Sequence, residues 1–244
     1  MVRVRPRTTN TRAKASRSPR KPQGTASRAR KPKLVDDEVV NRQLRRLARA
    51  YPQPQCELVH HSPFELLIAT ILSAQCTDVT VNKVTPMLFS RYPDANALAL
   101  ADPAQVETIV RPTGFFRVKA KNIVACARML CERHGCKVPR TMPELLELPG
   151  VARKTANVVL GTAFGIAEGV VVDTHVLRNA ARLGIAREDN PVKMEQALMT
   201  RIPRNRWIDF SHQLILHGRR ICFARKPACD RCPLAPDCPS AEVG

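Results

Sequence analysis

The sequence predicts an all-α protein, and three observations carry that prediction. From Val35 onward apolar residues recur at three- and four-residue spacing, and no stretch alternates apolar and polar residues for long. Helix starts are marked by a capping residue or by proline at the first helical position, as at Ser62-Pro63, Asp102-Pro103 and Met142-Pro143. The connections between periodic runs are short, which suits roughly ten helices packed on one another.

Taken in order, Asp36 or Asp37 caps a helix to about Tyr51 with Val39, Val40, Leu44 and Leu47 on one side. Ser62-Pro63 opens a helix from Phe64 to Ser73 that is apolar nearly all round, so it belongs at the centre of a core. Thr77 starts the next, to about Arg91, and Asp102-Pro103 a short one to Val110. Thr113-Gly114 is a turn. The longest run, Phe115 to His134, turns Ile123, Val124, Ala127, Leu130 and Cys131 inward and stops at Gly135. A short helix from Met142 and further helices near 152–164, 174–183, 191–201 and 206–217 complete the chain.

The charge is +19, unevenly spread. Residues 1–33 hold 12 of the 40 Lys and Arg and none of the 21 acidic residues; the rest keeps +7. A basic globular part behind a basic arm points to a polyanion, with nucleic acid the natural choice. The arm reads as a solvated phosphate-holding tail, or else as an organellar transit peptide, since it is Arg-rich and acid-free without an apolar signal core. No run of about 18 apolar residues exists to span a membrane. The expectation is a cytoplasmic, nucleoid-associated monomer with no membrane partner.

Nine cysteines without a secretory signal imply a reducing compartment, where disulfides are not expected. Cys222, Cys229, Cys232 and Cys238 fall within one short segment and can hold a metal centre. Only Cys229 and Cys232 are close neighbours, so the wider gaps lean to iron–sulfur over zinc without excluding zinc. Cys56, Cys76, Cys126, Cys131 and Cys136 have no ligand spacing and read as small core hydrophobes. The histidines, among them His175, His212 and His217, read as structural groups.

The chemistry concentrates between Leu148 and His175. Leu148-Pro149-Gly150-Val151-Ala152-Arg153-Lys154 is a tight turn that runs straight into a helix, whose unpaired first N–H groups make an anion site. Arg153 and Lys154 oppose the helix dipole there, by roughly 0.3–1 kcal/mol each, so something besides helix stability is being served. A few residues on, Val172-Asp173-Thr174-His175 offers a carboxylate that can also cap the next helix. Lysine as a nucleophile must be neutral, which for an ordinary pKa of about 10.4 costs roughly 4–5 kcal/mol at pH 7. A nearby carboxylate or desolvation has to supply that.

These two segments and the cysteine spacing resemble the endonuclease III family of helix-hairpin-helix DNA base-excision glycosylases, over about residues 36–238. The resemblance implies a two-lobed fold. One lobe is a six-helix barrel over about 56–166; the other combines 34–55 with 167–244 and carries one 4Fe–4S cluster on the four C-terminal cysteines. It implies that Lys154 is the nucleophile and Asp173 the catalytic carboxylate, facing each other across a cleft. Gln75, in Ser73-Ala74-Gln75-Cys76-Thr77-Asp78, matches the residue that fills the hole left by an extruded base. Phe115 matches the wedge position, more often leucine, although a core role is the plain alternative. Gly150, Val151, Ala152 and Arg153 of the hairpin, and Arg225 and Lys226 of the cysteine loop, match DNA contacts, with Arg219 and Arg220 as further phosphate clamps. The family hairpin usually has a second glycine where this chain has Ala152; if that position needs a positive φ, the hairpin is disturbed.

The implied activity is a bifunctional glycosylase and abasic-site lyase acting on oxidised pyrimidines in double-stranded DNA, without nucleotide cofactor or catalytic metal. An adenine-mispair glycosylase, which typically lacks the lysine, and a non-catalytic DNA-binding iron–sulfur protein are the alternatives. Deleting residues 2–33 should weaken non-specific DNA binding and flatten its dependence on salt, because fewer counterions are released. An unaltered slope of log K against log salt would show that the arm does not touch DNA.

Overall fold

The computed structural model describes residues 34–242. The basic arm, residues 1–33, lies outside them. Eleven α-helices are present among the described residues: α1 Asp37–Ala50, α2 Pro63–Leu72, α3 Asp78–Arg91, α4 Ala95–Ala99, α5 Pro103–Val110, α6 Phe116–His134, α7 Met142–Glu147, α8 Arg153–Phe164, α9 Thr174–Arg182, α10 Pro191–Arg201 and α11 Trp207–Arg220. No strand occurs among them, and no helix is long and apolar enough to cross a membrane.

Local chemistry sets most helix starts. Asp36, Ser62, Thr77, Asp94, Asp102, Asp173 and Asn190 each accept a hydrogen bond from a first-turn N–H. Helix α11 continues to Arg220, three residues past its expected end. Helix α4 was not anticipated, being five residues long with too few positions for a period to register. Helix α6 begins at Phe116, because Phe115 itself is left-handed (φ 47°, ψ 30°) and stands outside the helix.

The helices bury two hydrophobic cores. The first joins α2, α3, α5, α6, α7 and α8 around Leu67, Ile68, Leu72, Leu88, Ile123 and Leu130. The second joins α1, α9, α10 and α11 around Leu47, Val176, Met194, Phe210 and Leu214, with Leu234 inserted from the cysteine loop. Leu66 of α2, Val158 of α8 and Val171 form a small cluster with Ile215 packed on it, which bridges the two. Helix α2 is the central apolar rod that its composition predicts: Leu66 to Ala69 are wholly inaccessible.

Of the cysteines outside the C-terminal group, Cys126 is buried, and Cys56, Cys76 and Cys131 are partly buried against the first core. Cys131 and Cys136, for which no pairing was expected, form a disulfide (S–S 2.17 Å). The cause is the way α6 ends. Gly135 turns left-handed (φ 57°) and Cys136 N–H reaches back to Leu130 O at 3.0 Å, folding residue 136 over the last turn.

The hairpin between α7 and α8 answers the question raised by Ala152. That residue is extended (φ −101°, ψ 170°), so no glycine is required. The positive φ (80°) falls on Gly150, where a Cβ would stand 3.0 Å from Asn122 Cβ and 3.2 Å from Ile71 Cγ2. Gly150→Ala should therefore cost about 1–3 kcal/mol of stability, from backbone strain alone. Ala152→Gly should cost at most about 1 kcal/mol. Denaturant midpoints check both; equal effects would mean that the hairpin is set elsewhere.

Candidate active site and iron–sulfur loop

Helix α8 starts without a side-chain cap, and its first N–H groups open outward from the hairpin. Lys154 lies in this first turn and is exposed. Arg153 beside it turns the other way: its Nε donates to Glu195 Oε2 of α10 at 2.8 Å, and the pairing raises the guanidinium pKa. Asn157 Nδ2 donates to the other oxygen of this buried carboxylate at 2.8 Å. Gly169 leaves the room, since a Cβ there would come 2.0 Å from Glu195 Oε1. The hairpin is thus fastened to the second core.

Asp173 caps α9. Its Oδ1 accepts from Val176 N–H at 2.8 Å, and among the described residues Oδ2 has no hydrogen-bond partner. Asp173 and Lys154 line one cleft of about 1740 Å³ open to solvent, together with Ser73, Gln75, Asp78 and His175. Both also line a deeper recess of about 560 Å³ with Thr70, Ser73, Val171 and His212.

Arg219 lines this cleft. It pairs with Glu57 and, at 2.8 Å, with Asp78 Oδ2, while Arg220 approaches Glu57 Oε1 at 3.6 Å. These partners lie far away in sequence, so no local pattern announces them. The hydrogen bonds and ion pairs raise the Arg219 pKa against its burial.

Gln75 lines the cleft, and Phe115 does not. Both are nevertheless exposed and left-handed, with φ of 52° and 47°. Such backbone is uncommon without glycine and is held only where the surroundings enforce it. With Phe115 at 67% exposure, the plain alternative of a core residue is excluded. Gly150, Val151 and Ala152 form the hairpin rim, apart from the cleft lining, with Val151 buried.

The four C-terminal cysteines converge. Cys222, Cys229, Cys232 and Cys238 line a single pocket beside Arg182, Leu183 and His217. Among the described residues no three Cys, His, Asp or Glu gather closely enough to ligate a single ion. The protein around the thiols fits a sulfur-rich cluster. Arg182 Nη1 donates to Cys222 Sγ at 3.3 Å, and His217 Nε2 lies 3.6 Å from Cys232 Sγ. Burial pushes the Cys238 thiol up to about 11, so iron would have to displace its proton. His217, which also meets Tyr51 Oη at 3.2 Å, is held down to about 4 by burial and is neutral.

Helix α9 also pins the loop. Arg182 donates to Phe223 O (2.6 Å) and Ala224 O (2.9 Å), and Arg178 to Gly218 O and Cys222 O. Arg225 and Lys226 project from the fixed loop, Lys226 with a left-handed φ of 52°. Arg178 and Arg182 stand one turn apart, which sequence spacing makes visible. Their partners are backbone carbonyls, which it does not.

Comparison with known proteins decides the family. The model for HhH-GPD superfamily base excision DNA repair proteins matches residues 68–204, and that for the iron–sulfur binding domain of endonuclease III matches 222–238. Endonuclease III of Synechocystis sp. is 56% identical over 197 residues, covering 81% of this chain and 90% of the relative. The Escherichia coli K12 protein is 46% identical over 192 residues, covering 78% and 89%. The chain belongs to the endonuclease III family. Among solved structures, a non-covalent endonuclease III–DNA complex superposes with TM-score 0.80 at 42% identity, covering 85% of this chain and 97% of that one. A trapped endonuclease III–DNA covalent intermediate matches equally, covering 98% of its chain. The fold is the two-lobed helix-hairpin-helix glycosylase architecture, and the chain is a base-excision DNA glycosylase and abasic-site lyase that carries one 4Fe–4S cluster.

Purified protein should accordingly be brown, with about four iron and four sulfide per chain. Cys232→Ser should lower both. A colourless, active protein holding a single zinc would contradict the assignment.

Proposed function

We propose that this enzyme removes oxidised pyrimidines from double-stranded DNA, with Lys154 as the nucleophile and Asp173 as its catalytic carboxylate. The observation that carries this reading is their shared cleft: an amine from the first turn of α8 and a carboxylate fixed at the start of α9 line the same recess. The damaged nucleotide is rotated out of the duplex, a step costing a few kcal/mol and least for a base that stacks poorly. Lys154 Nζ bonds to C1′ as the base leaves with the electrons of the glycosidic bond. Asp173, its Oδ1 held by Val176 N–H, stabilises positive charge developing on the sugar and accepts the lysine proton. After ring opening the adduct is an iminium. Loss of a C2′ proton expels the 3′ phosphate, and water then releases lysine.

The remaining residues would hold the DNA. The amides of Gly150, Ala152 and Arg153 present the hairpin end to a phosphate, which favours an uncapped helix start, while Val151 N–H closes the turn on Leu148 O at 3.1 Å and sets its shape. Arg225 and Lys226 contact a second stretch of backbone from the pinned cluster loop. Gln75 enters the gap left by the lesion, and Phe115 wedges the opposite stack. In this reading the barrel, about residues 56–166, supplies the nucleophile. The cluster domain, 34–55 with 167–244, supplies the carboxylate, and the arm 1–33 adds electrostatic attraction to the nucleoid. The protein acts as a monomer. The cluster holds the loop, and no step of the reaction passes through it.

The two central residues should fail differently. Lys154→Ala should abolish borohydride trapping and strand cleavage while leaving most DNA affinity. Asp173→Asn keeps a capping oxygen but removes the charge, so base release should slow by something like 10²–10⁴-fold. Trapping on a preformed abasic site should survive better in Asp173→Asn than in Lys154→Ala. Single-turnover assays on duplexes with thymine glycol, dihydrouracil or an abasic site check this. Wild-type trapping by Lys154→Ala would overturn it, and inertness toward every oxidised pyrimidine would overturn the substrate class.

A further inference from the structure

Lys119 takes no part in the chemistry described so far, yet its placement is costly. It lies in the first turn of α6, where a cation opposes the helix dipole, and only 5% of it is exposed. Burial lowers its pKa. A methionine of similar length would fill the same space without desolvating a charge, so the ammonium needs an interaction that justifies it.

That interaction is specific. Lys119 Nζ donates to Thr113 O at 2.6 Å, its one hydrogen-bond partner among the described residues. The backbone N–H of the same residue donates to Phe115 O at 3.1 Å. Lys119 therefore grips the carbonyls on both sides of Gly114 (φ 68°), in the tightest part of the loop that carries Phe115. Phe115 occupies the N-cap position of α6 but makes no side-chain cap. Nothing in its own side chain holds the left-handed backbone. Thr113 is fixed in turn: it is 2% exposed, and its Oγ1 donates to Val110 O at 2.8 Å. Cys76, the residue after Gln75, lies close enough to act on the same ammonium.

We propose that Lys119 is a positioning residue: its buried ammonium, bound to the Thr113 carbonyl, holds the loop so that Phe115 projects as a preformed wedge. This rests on the reading of Phe115 as the wedge. Without the ammonium, residues 113–115 relax toward ordinary backbone and the aromatic ring no longer points outward at fixed height. The duplex then has to pay for ordering the ring at the moment the lesion is extruded. An abasic site has no base to extrude and is far less sensitive.

The test compares wild type, Phe115→Ala, Lys119→Met and the double variant. Each acts under single turnover on one duplex bearing dihydrouracil and on the same duplex with a preformed abasic site. The readout is the ratio of the two rates, which a general loss of folded protein does not move. Phe115→Ala and Lys119→Met should each lower that ratio by roughly tenfold or more, as misplacement of a positioning group does. The double variant should lower it no further than Phe115→Ala alone, because Lys119 acts through the ring. If Lys119→Met does not fold, Lys119→Gln carries the same expectation. A normal ratio for the Lys119 variant beside a lowered one for Phe115→Ala would overturn the proposal and leave the wedge reading intact. Losses that multiply in the double variant would also overturn it. An unchanged ratio for Phe115→Ala would remove the wedge reading, and the proposal with it.

Discussion

The hydrogen bond from Val176 N–H to Asp173 Oδ1 is the constraint on which this site depends. It fixes one end of a carboxylate and starts α9, leaving the other oxygen to the cleft. Helix α9 is only nine residues long, and both its ends border a candidate site. Asp173 stands at its start, and at its close Arg182 meets Cys222 and the backbone of the cluster loop. The loop that projects Arg225 and Lys226 and the carboxylate in the cleft are therefore mounted on one rigid piece. In the proposed reading the cluster serves to hold this loop.

Across the cleft the logic is opposite. Lys154 sits in an uncapped first turn and is exposed, while the neighbouring cation Arg153 is drawn aside by the buried Glu195. Arg219 is likewise matched by Glu57 and Asp78. Arg153 and Arg219 are thus held by carboxylates, and the proposed reaction falls to Lys154.

Much of this was legible in the sequence because it is local. Caps such as Asp36, Ser62, Thr77 and Asn190 act within three residues, so helix starts follow from residue type and spacing. The four clustered cysteines and the glycine-containing hairpin are local for the same reason. What the pattern hid is non-local or conformational. Arg219 meets Glu57 across 162 positions, and Arg153 meets Glu195 across 42. Phe115 continues the apolar period of α6, yet its backbone is left-handed and its ring faces solvent. Periodicity reports which face is apolar and is silent about φ. The Cys131–Cys136 disulfide escaped because a reducing compartment argues against it, while the closing turn at Gly135 brings the two Cα atoms to 3.8 Å.

The central claim is that one amine, in the first turn of α8, forms the covalent bond to DNA. Peptide mapping of the borohydride-trapped complex tests it most directly. After nuclease and protease digestion, mass spectrometry should find the reduced sugar remnant on the peptide containing Lys154 and on no other lysine. A remnant on another lysine or on the terminal amine, with the Lys154 peptide unmodified, would contradict the account.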